Sequence, residues 1–149
     1  MALTQVIGSG IGQVTDIKLG GSGSANTLDD YEEGTWTPTD DSGAGLNVNP
    51  NHSDYVKIGR FVMANTEMTI ATNSNSSQVK IGGLPFTVKN PSSTGGFVRY
   101  SNSSASTPFV ITNQNTDQFI AYAQNGGTIA NSSYSNKRFD VTIIYHTDA

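Results

Sequence analysis

The chain has 149 residues, only 13% of them charged, and a formal net charge of −4. This length suits one domain with an appendage and is short for two domains. The eight Lys and Arg residues are scattered, which argues against a nucleic-acid partner because a phosphate-binding groove needs clustered cations. Cysteine is absent, so disulfides and thiolate metal sites are excluded. No signal peptide or bilayer-length apolar run is evident, and we expect no membrane partner.

Residues 1–27 are predicted to form an extended, glycine-rich arm. Six glycines lie between Gly8 and Gly23, and the apolar residues among them fit neither a helical stripe nor a long strand. A floppy tail is one outcome of such a composition. We instead expect a neighbouring subunit or a larger assembly to hold the arm, because aliphatic side chains gain free energy only when something buries them. The side chains expected to anchor it are Val6, Ile7, Ile11, Val14, Ile17 and Leu19.

The stretch L-D-D-Y-E-E-G-T-W-T-P at 28–38 is predicted to join this arm to a compact β domain at 28–149. It contains four acidic residues and Trp36, the single tryptophan of the chain. Tryptophan has its largest effect as a buried anchor. Trp36 is therefore predicted to lie in the core or at a subunit interface.

The β domain is predicted from short alternating runs separated by turn residues. The first strand is expected at 35–39, a loop at 40–53 and a further short strand at 84–88. The clearest alternation lies at 62–71 and 139–146, where apolar residues recur at every second position. Ser, Thr and Asn supply 48 residues and favour turns and strands over helices. We expect an all-β fold, a β-sandwich or jelly-roll-like knob of about eight or nine short antiparallel strands.

A second apolar surface is predicted on the outside of this domain. Phe61 and Met63 alternate with Val62 and therefore lie on the face opposite the core. We expect these two residues, with Tyr31 and Trp36, to meet around a three-fold axis in a homotrimer.

Acidic, histidine and aromatic residues are the candidates for a metal, catalytic or carbohydrate site. The acidic residues of the joint could bind Ca²⁺ but lack the spacing of an EF-hand loop, so a solvated or ion-paired joint is favoured; they are Asp29, Asp30, Glu32 and Glu33, with Asp40 and Asp41 nearby. We expect nothing to link the strand carboxylates Glu67 and Asp140, and His52 and His146 have no third metal ligand. We expect no enzyme, no metal and no cofactor. An aromatic carbohydrate platform is the alternative role of Tyr31, Trp36, Tyr100 and Tyr134.

Four motifs resemble an all-β module of bacteriophage virion-exterior, fibre-type and decoration proteins. They are the joint motif at 28–38, Y-V-K-I-G-R at 55–60, G-L-P-F-T at 83–87 and I-I-Y-H-T-D at 143–148. The resemblance covers about 28–148. It implies an all-β domain, commonly trimeric, displayed on the surface of the virion.

The resemblance leads us to expect a structural protein on the virion exterior, assembled in the host cytoplasm. Because only 27 residues precede the joint, we expect a capsid decoration or cement protein whose arm clamps to the shell. The major capsid protein is the expected partner. The alternative is a tail-fibre tip or receptor-binding module for a host surface glycan, with binding loops at 40–53 and 101–107.

Overall fold

The computed structural model describes residues 17–18, 27–28, 30–91, 94–103 and 108–148. In these ranges the regular secondary structure is β-strand, apart from one short 3-10 helix at Asn131–Tyr134. The strands are β1 (Ile17–Lys18), β2 (Thr27–Leu28), β3 (Tyr31–Thr35), β4 (Thr39–Asp40), β5 (Val48–Ile58), β6 (Phe61–Ile70), β7 (Lys80–Gly82), β8 (Gly95–Ser101), β9 (Phe109–Asn113), β10 (Gln118–Tyr122) and β11 (Lys137–His146). None of the described residues belongs to a helix long and apolar enough to cross a membrane.

Nine of the described strands form one antiparallel sheet in the order β3-β5-β6-β11-β8-β9-β10-β7-β4. The predicted all-β class and strand number are confirmed. The strands form a single continuous sheet, and a jelly-roll topology is not confirmed.

The sheet curls because its two edge strands are almost consecutive in sequence. β3 lies at one edge and β4 at the other, and residues 36–38 join them. Four extended residue steps span at most about 14 Å, so the two edges lie close together. We call residues 36–38 the seam. The seam brings the joint motif into contact with both ends of the sheet.

The core fills the inside of this curl and is built mainly by β6 and β11. Along β6, residues 62, 64, 66, 68 and 70 are buried, while the alternate residues are exposed or half-buried. In β11 the predicted core residues Phe139, Val141, Ile143 and Tyr145 are buried, and Asp140 and Thr142 on the opposite face are buried as well. The two strongest sequence predictions are therefore confirmed. Tyr134 from the 3-10 helix packs on Phe139, with ring centroids 4.5 Å apart.

Three sequence predictions about the strands are wrong. The chain at 35–39 divides between β3, the seam and β4. The predicted loop at 40–53 ends early, because β5 begins at Val48 and pairs with β6 through a bulge between Pro50 and His52. Residues 84–88 form no strand, although Leu84 and Val88 are buried. In each case the presence or absence of a neighbouring strand decided whether the segment forms a strand, whatever its local composition predicts.

Most of the predicted arm lies outside the described residues, including Val6, Ile7, Ile11, Val14 and Leu19. The described part is a short antiparallel pair in which Ile17 lies opposite Leu28 and Lys18 opposite Thr27. This pair crosses the predicted boundary between residues 27 and 28.

Candidate functional site

The four motifs that carry the family resemblance meet at one end of the sheet. The ring of Tyr55 meets Phe86 edge to face, with centroids 5.4 Å apart and planes at 86°. The backbone N–H of Phe86 donates to the Tyr145 hydroxyl at 3.2 Å. The Tyr55 hydroxyl donates to Glu32 at 2.5 Å, and this bond raises the pKa of Tyr55. We call this assembly, built from residues of all four motifs, the motif network.

An ion pair between a buried lysine and a partly exposed aspartate links two of the motifs. Lys57, near the end of β5, is buried and pairs with Asp30 of the joint. Its ammonium also lies 5.4 Å from the centroid of the Phe86 ring, a distance at which a cation is attracted to the aromatic face. A buried lysine requires such partners because an uncompensated charge inside a protein is costly.

Close contacts within the network require glycine at position 83 and leave little room for a side chain at Gly34. Gly83 has a φ of +82°, and a Cβ there would lie 2.2 Å from the carbonyl oxygen of Thr37. A Cβ on Gly34 would lie 3.0 Å from the ring of Tyr55. These two glycines therefore allow the joint motif to approach the G-L-P-F-T and Y-V-K-I-G-R motifs closely.

Trp36 lies in the seam and is 8% exposed, inside the core of its own chain. Its indole Nε1 donates to the carbonyl oxygen of Asn65 in β6 at 3.0 Å. This bond joins the seam to β6, the third strand of the sheet. The tryptophan is therefore placed as an anchor of the joint, separate from the outward-facing Tyr31, Phe61 and Met63.

The other three residues predicted for a subunit interface lie together on the outside of the sheet. Strand register places Tyr31 opposite Ile58, Ile58 opposite Phe61, and Phe61 opposite His146. Residues opposite each other in antiparallel strands share a face. Tyr31, Ile58 and Phe61 are 55%, 49% and 44% exposed. We call these four residues the outer ladder; Met63 is half-buried in the next row, beside Val56 and Ile144.

Sequence reasoning missed Ile58 and Lys57 as functional candidates. Both belong to the Y-V-K-I-G-R motif, and alternation along β5 places Ile58 outward with Val56 and Lys57 inward with Tyr55. That alternation was readable in the sequence. The sequence did not show which residues of β3 and β6 lie opposite Lys57 and Ile58.

The carboxylates of Glu67 and Asp140 are linked, which the sequence had not indicated. The register of β6 and β11 places them opposite each other. Arg138 joins them, with Nη2 2.6 Å from Glu67 Oε2 and Nε 2.8 Å from Asp140 Oδ1. The bond to Asp140 raises the pKa of Arg138 further above its ordinary value. The expectation that nothing connects the two carboxylates was wrong; both are acceptors in an ion-pair cluster that also stacks Arg138 on Tyr100.

The acidic joint is divided among separate partners. Asp30 pairs with Lys57, Glu32 and Glu33 accept bonds from tyrosine hydroxyls, and Asp41 accepts one from Gln118. Asp40 accepts bonds from the Ser42 hydroxyl and the Leu46 backbone. Asp29 lies outside the described residues. Within the described ranges no three His, Asp or Glu side chains form a group that could hold a metal ion.

The aromatic residues considered for a carbohydrate platform are not brought together. Trp36 and Tyr134 are buried in the core, while Tyr31 and Tyr100 are exposed on β3 and β8. Three strands lie between β3 and β8 in the sheet. Of the two loops considered for glycan binding, 104–107 lies outside the described residues, and part of 40–53 belongs to β5.

Comparisons of this chain with protein-family models, with curated proteins and with solved structures found no significant match.

Proposed function

We propose that this chain is a bacteriophage virion structural protein, a capsid decoration or cement protein. The β domain projects outward as a homotrimer, and the arm at 1–27 clamps to the shell, with the major capsid protein as partner. Support comes from the motif resemblance and from the all-β fold. The motifs that carry the resemblance also form one contiguous network through Tyr55, Lys57 and Phe86.

The observation that carries the proposal is the outer ladder. Tyr31, Ile58 and Phe61 form a row of exposed apolar side chains beside the half-buried Met63. Contiguous apolar surface of this kind marks contact sites with other macromolecules. The row begins at Tyr31, where the chain enters the sheet from the arm. Only residues 28–30 separate Tyr31 from the predicted arm in the sequence, which suits a contact surface to which both contribute.

The interface is tested by Phe61→Ser in the full-length chain. An exposed side chain contributes little to folding, so melting is expected to change by only a few degrees. Sedimentation is expected to show dissociation of the trimer, because the serine removes an apolar anchor from each contact. Phe97→Ser on β8 is the matched control, since Phe97 is also exposed but lies outside the ladder. A wild-type monomer at micromolar concentration would contradict the proposal.

The clamp is tested by Ile11→Asp and Val14→Asp on phage particles. Charged side chains oppose burial, so we expect the variants to bind particles weakly. Particles carrying them should break at lower temperature than wild-type particles and adsorb normally to cells. Particles that keep their heat stability but fail to adsorb would instead favour the receptor-binding alternative.

A further inference from the structure

A shallow groove of about 350 Å³ lies beside the motif network and is lined by Arg60, Lys89, Pro91 and His146. Two backbone bonds hold its walls together. The Lys89 N–H donates to the His146 carbonyl at 2.8 Å, and the Thr147 N–H donates to the Arg60 carbonyl at 2.9 Å. The groove is therefore built by segments that are distant in sequence and fixed to each other. Its volume lies at the lower end of the range of small-molecule sites.

The groove concentrates positive charge on an acidic protein. The whole chain carries a net charge of −4 and only eight Lys and Arg residues. Arg60 and Lys89 are two of them, and both line this groove with His146. An arginine guanidinium can bind a carboxylate through two parallel hydrogen bonds, and lysine adds a second point charge. The lining is therefore suited to an oxyanion.

A carboxylate of the chain already lies between the two cations. Asp148 Oδ1 is 3.0 Å from Lys89 Nζ and 3.6 Å from Arg60 Nη2. The Asp148 side chain is 75% exposed, and an ion pair that exposed is weak. A ligand that contributes a carboxylate together with other contacts can therefore displace it. Asp148 marks the position that the ligand's carboxylate would take.

An aromatic ring stands next to the histidine of the groove. Phe61 meets the ring of His146 with centroids 6.2 Å apart at 63° and is about half exposed. A sugar ring presents C–H groups that pack on an aromatic side chain, and a sugar acid adds the carboxylate. This combination of charge and aromatic surface favours a sugar acid over a bare inorganic anion.

We propose that the groove formed by Arg60, Lys89 and His146 binds the carboxylate of a hexuronic acid unit, with Phe61 beside the sugar ring. Asp148 acts as an internal competitor for the same two cations. Phe61 and His146 also belong to the outer ladder, so a neighbouring subunit that covers Phe61 would exclude the sugar ring. The carboxylate position between Arg60 and Lys89 needs neither the arm nor a particle.

The test is a titration of the full-length chain with glucuronic acid at low salt, followed by NMR or calorimetry. Glucuronic acid is expected to bind and glucose is not. Arg60→Gln and Lys89→Gln should each weaken binding about tenfold, since each removes a charge-assisted contact. Asp148→Asn should strengthen it about two- to fivefold, the range expected when a weak exposed ion pair no longer competes. Lys137→Gln, a change at an exposed lysine on β11, is the matched control and should leave binding unchanged.

Two further measurements distinguish the sugar acid from other sources of negative charge. Inorganic phosphate is expected to bind more weakly than glucuronic acid, and Phe61→Ala should weaken only the binding of glucuronic acid. Equal binding of phosphate and glucuronic acid, with no effect of Phe61→Ala, would overturn the sugar assignment. An equal response to glucose, or unchanged affinity in both Lys89→Gln and Asp148→Asn, would overturn the site itself. Circular dichroism of each variant checks that it is folded.

Discussion

Lys57 and Ile58 are neighbours at the end of β5, yet the charged residue is buried and the apolar residue is exposed. On the inner side of the strand, Asp30 and the Phe86 ring compensate the charge of Lys57. On the outer side, Ile58 lies in a row with Tyr31 and Phe61 and is exposed to solvent. The comparison separates two kinds of surface on the same strands. The motif network stabilises the monomer, whereas the outer ladder has surface left for another molecule.

The largest expected effect compares Trp36, which is buried at the seam, with Phe61 of the outer ladder. Trp36→Ala removes a buried side chain and its bond to Asn65, and we expect a loss of about 3–5 kcal/mol in the free energy of unfolding. Phe61→Ala should change the free energy of unfolding of the monomer by no more than about 0.5–1 kcal/mol. Urea unfolding of both variants at the same protein concentration measures the difference. Similar losses in the two variants would remove the distinction between the surfaces.

An intermediate effect is expected from the Asp30–Lys57 ion pair. Asp30→Ala leaves a buried ammonium without its partner, and because Asp30 is partly exposed we expect a loss of about 1–3 kcal/mol. Lys57→Met removes the charge and keeps most of the aliphatic volume, so its cost should be smaller. Thermal melting of the two variants and of the double variant checks this order. A larger loss for Lys57→Met would show that the ammonium is stabilising in itself.

The smallest effect concerns Asp40 in β4, on the other side of the seam. Burial alone would raise the pKa of this carboxyl, but hydrogen bonds from Ser42 and from the Leu46 backbone outweigh it and lower the pKa below the ordinary 3.8. Because the folded-state pKa is the lower one, Asp40 stabilises the fold above about pH 4 and loses this contribution as the pH falls through the folded-state pKa. Asp40→Asn should therefore reduce the loss of stability between pH 6 and pH 3. Urea unfolding at the two pH values measures it, and an unchanged difference would contradict the assignment.

The amino-acid sequence by itself determined the all-β class and the two central strands. In β6 and β11 the alternation has a period of two residues, which is a local property and readable without a structure. It also placed Phe61 and Met63 on the face opposite Val62, and the structure confirms that placement. The joint motif, with Trp36 in it, was recognised as a place where the chain is anchored.

Only the tertiary structure decided which strands are neighbours. The polar residues from Asn49 to His52 resemble a loop, yet they pair with β6 because that strand offers free backbone groups. The meeting of Glu67 with Asp140, the ion pair of Asp30 and Lys57, and the groove between Arg60 and Lys89 all join residues far apart in sequence. Register between distant strands depends on packing of the whole core, which no local pattern encodes.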